Sequence, residues 1–417
     1  VNRVRLKSVV RNPVRKAGGS AEPFIGLEDI EGRTGKLLVN KLSLKAAEDS
    51  IVHQKGDVLF SKLRPYLAKS YLPLAAGTAT AELLVLRPNP SVDPRYLFYA
   101  TLSHPWLEWA NTTAYGTKMP RTSWDLMSEY RLWLPPSEEQ RRIVDFLDGE
   151  TIRIDRLVAA RVRQRDVLDE RLYADVSETL IPGITRTTSE VWPWMWLPEL
   201  GHDRPLVRLG YVCRLQTGIT MDGGRDAGGD AVTRPYLRVA NVQAGHVDLS
   251  SVTEVTVPSA MAARSTLRRG DVLMTEGGDL DKLGRGTVWH GELPDCLHQN
   301  HVFALRPEID RLNADYLALM TQTLHGRSYF ESTGTKTTNL ASTSSSKILS
   351  FPVPLPAMHR QRELVGGLRR RLDTAARAQK ELARQLELLG ERKQALITAA
   401  VTGQIEVSTA SGRGIED

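Results

Sequence analysis

The sequence predicts an α+β protein: two pseudo-repeated mixed α/β modules separated by two long helices that form an antiparallel coiled coil. Three observations predict it. Short motifs recur in the same order in both halves of the 417-residue chain. The offset between the copies drifts at first and then locks. The locked segments carry a narrow apolar seam at coiled-coil spacing.

The first module covers residues 1–136. Its "VRL" at 4–6 returns at 207–209, "KGDVLF" at 55–60 returns as "RGDVLM" at 269–274, and "ELLVLRP" at 82–88 returns as "HVFALRP" at 301–307. "DPRYL" at 93–97 returns as "NADYL" at 313–317, and "YGTKMPR" at 115–121 as "TGTKTTN" at 333–339. The β-branched runs read as strands, and "PRYLFYATLSHPWLEWA" reads as an amphipathic helix. Strands and helices do not alternate as βαβ units, so the module is mixed α+β.

A long helix follows over 137–183. The offset is 203 at "VRL", 214 at "GDVL", 219 at "LRP" and 218 at "GTK", but from Leu134 onward it holds at 221. A segment that tolerates no insertion is expected to be one continuous helix, because each added residue turns every later side chain by about 100°. The second such helix covers 355–403. Its seam is Leu368, Leu372, Ala375, Gln379, Leu382, Leu386, Leu389, Lys393, Leu396 and Ala400. In the first helix Leu147, Ile154, Val158, Leu168 and Leu172 hold equivalent places, with Arg161 and Arg165 interrupting. Gln379, Lys393 and Arg165 either set the register or face solvent. An amphipathic helix lying on a globular core is the competing reading.

Residues 184–206, with Trp192, Trp194 and Trp196, read as a linker packed on its neighbours. The second module covers 207–354, where "PYLRVANV" reads as a strand and "ADYLALMTQTLHGRSYFES" as a helix. The small, polar stretch 404–417 is expected to be a flexible tail.

Composition narrows the function classes. The chain is 25% charged and 41% hydrophobic, without an apolar run of membrane-spanning length. The basic start "VNRVRLKSVVRNPVRKAGG" lacks an apolar signal core. Cys213 and Cys296 are the only cysteines, so no disulfide framework is expected and a reducing cytoplasm is the natural compartment. A net charge of +6 suits a polyanion partner.

No phosphate loop and no N/D-P-P-Y/F methyltransferase box occurs, and "GGRDAGGD" at 223–230 reads as a mobile loop. Cys296, His298 and His301 are close enough to suggest zinc, but a fourth ligand is not evident. The remaining candidates are basic loops. Module one offers Lys62, Arg64 and Lys69 in "FSKLRPYLAKS", then Gly116, Thr117, Lys118 and Arg121. Module two offers Lys282 and Arg285, then Gly334, Thr335, Lys336, Thr337 and Asn339. Gly lets backbone approach a phosphate, Lys and Thr bind phosphate oxygens, and Arg and Asn can read guanine and adenine edges. A solvated turn is the bland alternative for each loop.

Against these residues, "LPPSEEQRRIVDFLD" and "ALITAAVTGQI" resemble the conserved regions of Type I restriction–modification specificity subunits. "PFIGLEDIEGRTGKL", "PYLRVANVQAGHVDL" and "TGTKTTNL" resemble that family's target-recognition domains. The resemblance implies a non-catalytic subunit whose two target-recognition domains, 1–136 and 207–354, read halves of a bipartite, asymmetric site in double-stranded DNA. It implies that the coiled coil sets the gap and docks two modification subunits, which two restriction subunits can join. S-adenosylmethionine, ATP and magnesium would sit on those partners, with no cofactor or metal on this chain and no membrane contact. The chain departs from the pattern at Glu139, which has no acidic counterpart, and at Gly366 and Gly367 in an early helix turn. A stand-alone DNA-binding regulator and a protein–protein adaptor of the same fold remain alternatives.

Overall fold

Each "VRL" opens its module by pairing with the strand that closes it. In the computed structural model, Arg3–Arg5 runs antiparallel to Arg131–Trp133, and Leu206–Arg208 to Pro352–Pro354. The structure describes residues 3–17, 22–39, 42–45, 50–186, 206–220, 230–243, 245–278, 283–336 and 341–407. The chain divides into two units: Val1–Arg163 with Leu382–Asp417, and Gln164–Glu381.

The first unit holds two four-stranded sheets. One has the order Val10–Arg11, Leu83–Pro88, Val58–Ser61, Ser70–Tyr71, all antiparallel. The other has the order Ser43–Lys45, Glu22–Ile25, Gly77–Ala79, Ile51–His53, with one parallel pair, Phe24 opposite Thr78. The second unit repeats the plan. Cys213–Thr217, Val302–Pro307, Val272–Thr275 and Thr287–Val288 form the antiparallel sheet. Thr253–Pro258, Ala231–Leu237 and Leu297–His298 form the other, with Tyr236 parallel to Leu297.

The recurring "GD" and "LRP" have one explanation. Asp57 and Asp271 are each 1% exposed. Arg87 grips Asp57 through Nε and Nη2, both at 2.7 Å, and Arg306 grips Asp271 at 2.8 and 2.7 Å. Each carboxylate also accepts a backbone N–H, from Gln54 and Arg268, both at 2.8 Å. Gly56 and Gly270 share a φ of 90°, a conformation that disfavours any side chain.

The long helices run Ser137–Leu180 and Met358–Val401, 44 residues each. Both ends keep the offset of 221 that the sequence shows from Leu134. Each helix gives its two halves to different units. Inside each unit the halves pair antiparallel. In the first, Ile143, Val144 and Leu147 share a core with Ile397, Ala400 and Val401, and Asp155 pairs with Lys393 at 2.8 Å. In the second, Val176 and Leu180 share a core with Val365 and Leu368. There Gln379 donates to Asp169, and Arg371 pairs with Asp175. Of the predicted seam, Leu147, Ile154, Leu368, Leu382, Ala375 and Ala400 are buried, while Val158, Leu168, Leu172, Leu372, Leu386, Leu389 and Leu396 are half-buried. Gln379 and Lys393 sit in the seam, whereas Arg165 is exposed beside Asp166.

One glutamine fastens each module to its helix. Gln140 Nε2 donates to Ser91 O at 2.9 Å and Pro135 O at 2.8 Å, and Oε1 accepts from Asp93 N at 2.8 Å. Gln361 Nε2 donates to Arg311 O at 2.9 Å and Pro356 O at 2.8 Å, and Oε1 accepts from Asn313 N at 2.9 Å. Asp93 and Asn313 are themselves N-caps of module helices. A charge pair beside each glutamine is reversed between copies: module residue Arg95 meets helix residue Asp148, but module residue Asp315 meets helix residue Arg369.

Three expectations need correction. Each predicted module helix is two: Pro94–Leu102 with His104–Thr112, and Ala314–Thr321 with Leu324–Thr333. Ser103 and Thr323 are extended at the breaks, where Pro105 in one copy cannot continue a helix. "PYLRVANV" is a strand only to Leu237, and Val239–Asn241 is a 3-10 turn closed by the Asn241 side chain on Arg238 N. The start of the presumed tail is anchored, since Ile405 and Val407 pack on the first unit's core. Residues 187–205 of the Trp-rich linker, "GGRDAGG" and the last ten residues lie outside the described residues.

Candidate nucleic-acid interface

In module one the strand Val58–Ser61 runs straight into the predicted basic loop. Lys62 N donates to Glu82 O and Thr122 N donates to Lys62 O, at 2.9 and 3.0 Å. The second loop is closed by a pair of bonds, Tyr115 N to Arg121 O and Arg121 N to Tyr115 O, both 2.9 Å. Gly116 takes φ 94° inside it. The two loops are joined, because Leu63 bridges to Arg121 and Arg64 N donates to Pro120 O at 2.7 Å. The fold thus brings Lys62, Arg64, Gly116, Thr117, Lys118 and Arg121 onto one connected surface.

Their side chains differ in availability. The side chains of Arg64 and Lys118 are exposed and make no hydrogen bond or ion pair among the described residues. Arg121 pairs with Glu82 at 2.8 Å. Lys62 is half-buried, and burial lowers its pKa, with Arg121 adding to the effect and Glu82 opposing it. Lys69 is spent on structure, donating from Nζ to Leu27 O at 2.6 Å.

Module two builds the same ladder from Gly277–Gly278, Ala341–Ser342 and Thr335–Lys336. Glu276 stands where Lys62 does, since its N donates to His301 O and its O accepts from Thr343 N. Lys336 is exposed, and Lys347 Nζ donates to Thr335 Oγ1 at 2.9 Å. Arg285 is half-buried, within electrostatic reach of Tyr173. Lys282, Thr337 and Asn339 lie outside the described residues. The two "GTK" triplets are not equivalent. Tyr115 and Thr335 share one ladder position, so the triplet follows that rung in module one and straddles it in module two.

Sequence reasoning missed the apolar members of this surface. Tyr66, Leu67, Tyr115 and Met119 are all exposed. They lie inside the quoted motifs, but a sequence does not say which apolar residues face water.

The zinc reading finds no support in placement. His298 is buried with Nδ1 on Val302 O at 2.7 Å, while exposed His301 pairs with Glu276. Among the described residues no three ligating side chains converge. Burial pushes the thiols of Cys213 and Cys296 up to about 12, which keeps them protonated and unreactive. Among the described residues no helix is long and apolar enough to cross a membrane.

A mixed module made twice, each copy seated on antiparallel helix halves and each ending in a glycine-bearing loop ladder, defines a duplicated α+β scaffold. Residues 9–155 match the family model described as the Type I restriction modification DNA specificity domain. The resemblance to Type I specificity subunits is borne out. The EcoDI specificity subunit of Escherichia coli is 30% identical over 117 residues, 28% of this chain and 26% of that one. The EcoKI specificity subunit of Escherichia coli K12 is 23% identical over 329 residues, 77% and 68% of the two chains. The putative MjaX specificity subunit of Methanocaldococcus jannaschii is 18% identical over 168 residues. The match thus spans about a quarter of the EcoDI subunit's length and 40% of the MjaX subunit's. A chain from a solved type I R-M system shares the fold at a TM-score of 0.72 and 23% identity, covering 97% of this chain and 98% of that one.

Proposed function

We propose that this chain is the sequence-specific DNA-recognition subunit of a Type I restriction–modification complex. Each module reads one half of a bipartite, asymmetric duplex site, and the paired helices act as the spacer. The observation that carries the reading is a preserved scaffold beneath unlike loops. The buried Asp–Arg pair and the glutamine latch recur almost atom for atom, while Lys62 becomes Glu276 and Tyr115 becomes Thr335. Two copies of one reader with different contact residues suit two different half-sites.

The chain itself binds and positions. Lys118, Arg64 and Lys336 supply sequence-independent attraction to phosphates, and Arg121 and Asn339 are the candidates for reading base edges. Two modification subunits per chain carry S-adenosylmethionine and methylate adenine N6 on a flipped base. Two restriction subunits, with ATP and magnesium, can join them. Such a complex works in the cytoplasm.

Co-expression with its modification subunits tests this. The purified complex is expected to methylate one bipartite adenine-containing sequence in randomised DNA, and the chain alone is expected to methylate nothing. Methyl transfer by the chain alone, or salt-insensitive DNA binding, would refute the proposal.

A further inference from the structure

Four residues bearing a side chain adopt positive φ among the described residues: Arg33 at 66°, Arg64 at 48°, Ala68 at 51° and Asp295 at 49°. Three of these four meet at one turn of module one. Arg64 and Ala68 bracket the 3-10 turn Pro65–Leu67. Arg33 N donates to Ala68 O at 2.9 Å, and Arg64 N to Pro120 O at 2.7 Å. A left-handed backbone is unfavourable for residues with a Cβ and persists only where the surroundings enforce it. Here hydrogen bonds from two neighbouring segments enforce it.

What this strained backbone displays is apolar. Tyr66 is 46% exposed on the turn, and Tyr115 and Met119 are 61% and 54% exposed on the loop bonded to it. The same two loops carry Lys62, Arg64, Lys118 and Arg121. Their positive charge suits a nucleic acid rather than an apolar protein face. In module two the corresponding segments, 276–283 and 335–342, contain no aromatic residue.

We propose that Tyr66, Tyr115 and Met119 are specificity-determining residues of module one, reading base edges by shape and apolar contact in the DNA groove. The inference rests on the DNA-recognition reading above and deepens it. The exposed Arg64 and Lys118 side chains attract any sequence. An apolar side chain gains only where it meets an apolar feature, of which the thymine methyl is the chief one in the major groove. A fixed backbone makes such contact selective, because it cannot yield to the wrong base.

The test uses the full chain with its co-expressed modification subunits and selects binders from randomised duplexes. Tyr115→Ala and Met119→Ala are expected to lose about tenfold discrimination at one or two adjacent positions of one half-site. The other half-site and the dependence of affinity on salt should not change, and Tyr115→Phe should retain the wild-type preference. Unchanged preferences in both variants, or an equal weakening on every sequence, would overturn the inference. A wild-type complex that selects no sequence at all would instead sink the recognition reading itself.

Discussion

Arg87 and Arg306 each hold, by two bonds, a carboxylate that is 1% exposed. Both arginines have raised pKa values, chiefly through these hydrogen bonds. Removing the cation leaves a buried charge with only a backbone N–H, and breaking such a pair costs about 3 kcal/mol. Arg87→Ala is therefore expected to lower the urea midpoint of the first unit's transition, and Arg306→Ala that of the second. A loss below about 1 kcal/mol would mean that water reaches the carboxylate. At the proposed DNA-contact surface, Lys118→Ala should weaken binding to all DNA sequences alike and reduce the slope of log affinity against log salt by about one. A change in preferred sequence would place Lys118 on a base instead.

At the scale of elements, the joint between module and helix rests on a side-chain amide rather than on apolar fit alone. Gln140 is 1% exposed and satisfies three backbone groups, so Gln140→Ala strands Asp93 N, Ser91 O and Pro135 O. Each stranded group costs about 1–3 kcal/mol where water cannot replace the bond. Hydrogen exchange at Asp93 and through the first turn of Ser137–Leu180 should accelerate, while exchange in the sheet strand Leu83–Pro88 stays slow. The reversed pairs Arg95–Asp148 and Asp315–Arg369 add selectivity, because either module against the other's helix would place like charges together. Asp155 behaves in the same spirit within the helix pair. Burial works to raise its pKa, but hydrogen bonds from Lys36 and Lys393 outweigh that and the net shift is downward.

For the whole molecule, three buried histidines contribute to the response to acid. His53, His298 and His325 are at most 2% exposed, and burial lowers the pKa of each below 6.5. Below pH 6.5 the unfolded chain binds protons that the folded chain refuses, so stability falls as pH drops; above it both states are neutral there. Each histidine adds a slope of up to about 1.4 kcal/mol per pH unit between 6.5 and its own lower folded-state pKa, below which the slope is lost. Two of the three lie in the second unit, so its transition should move more between pH 7 and pH 5. Equal movement of both transitions would refute this assignment. If the helices set the gap between half-sites, four residues inserted after Leu157 turn everything beyond by a net 40° or about so and advance it about 6 Å. The methylated site should then change its spacer length, or assembly should fail with both modules folded. An assembled complex with the original spacer would remove the ruler.

The sequence by itself determined the duplication, the presence of two long helices and most of their seam, while the structure set their ends at Ser137–Leu180 and Met358–Val401. A locked offset and a 3.5-residue apolar period are one-dimensional records of helix geometry, and neither needs a partner to be read. Tertiary structure alone decided the rest. It showed that "GD" and "LRP" meet as an ion pair, that Gln140 and Gln361 are latches, and that Lys69 is spent on Leu27. It also moved the "GTK" register and put Tyr66, Tyr115 and Met119 in water. These depend on which distant backbone lies within 3 Å of a polar atom, and on which apolar side chains the core leaves out. Long-range packing sets both, and no local pattern encodes it.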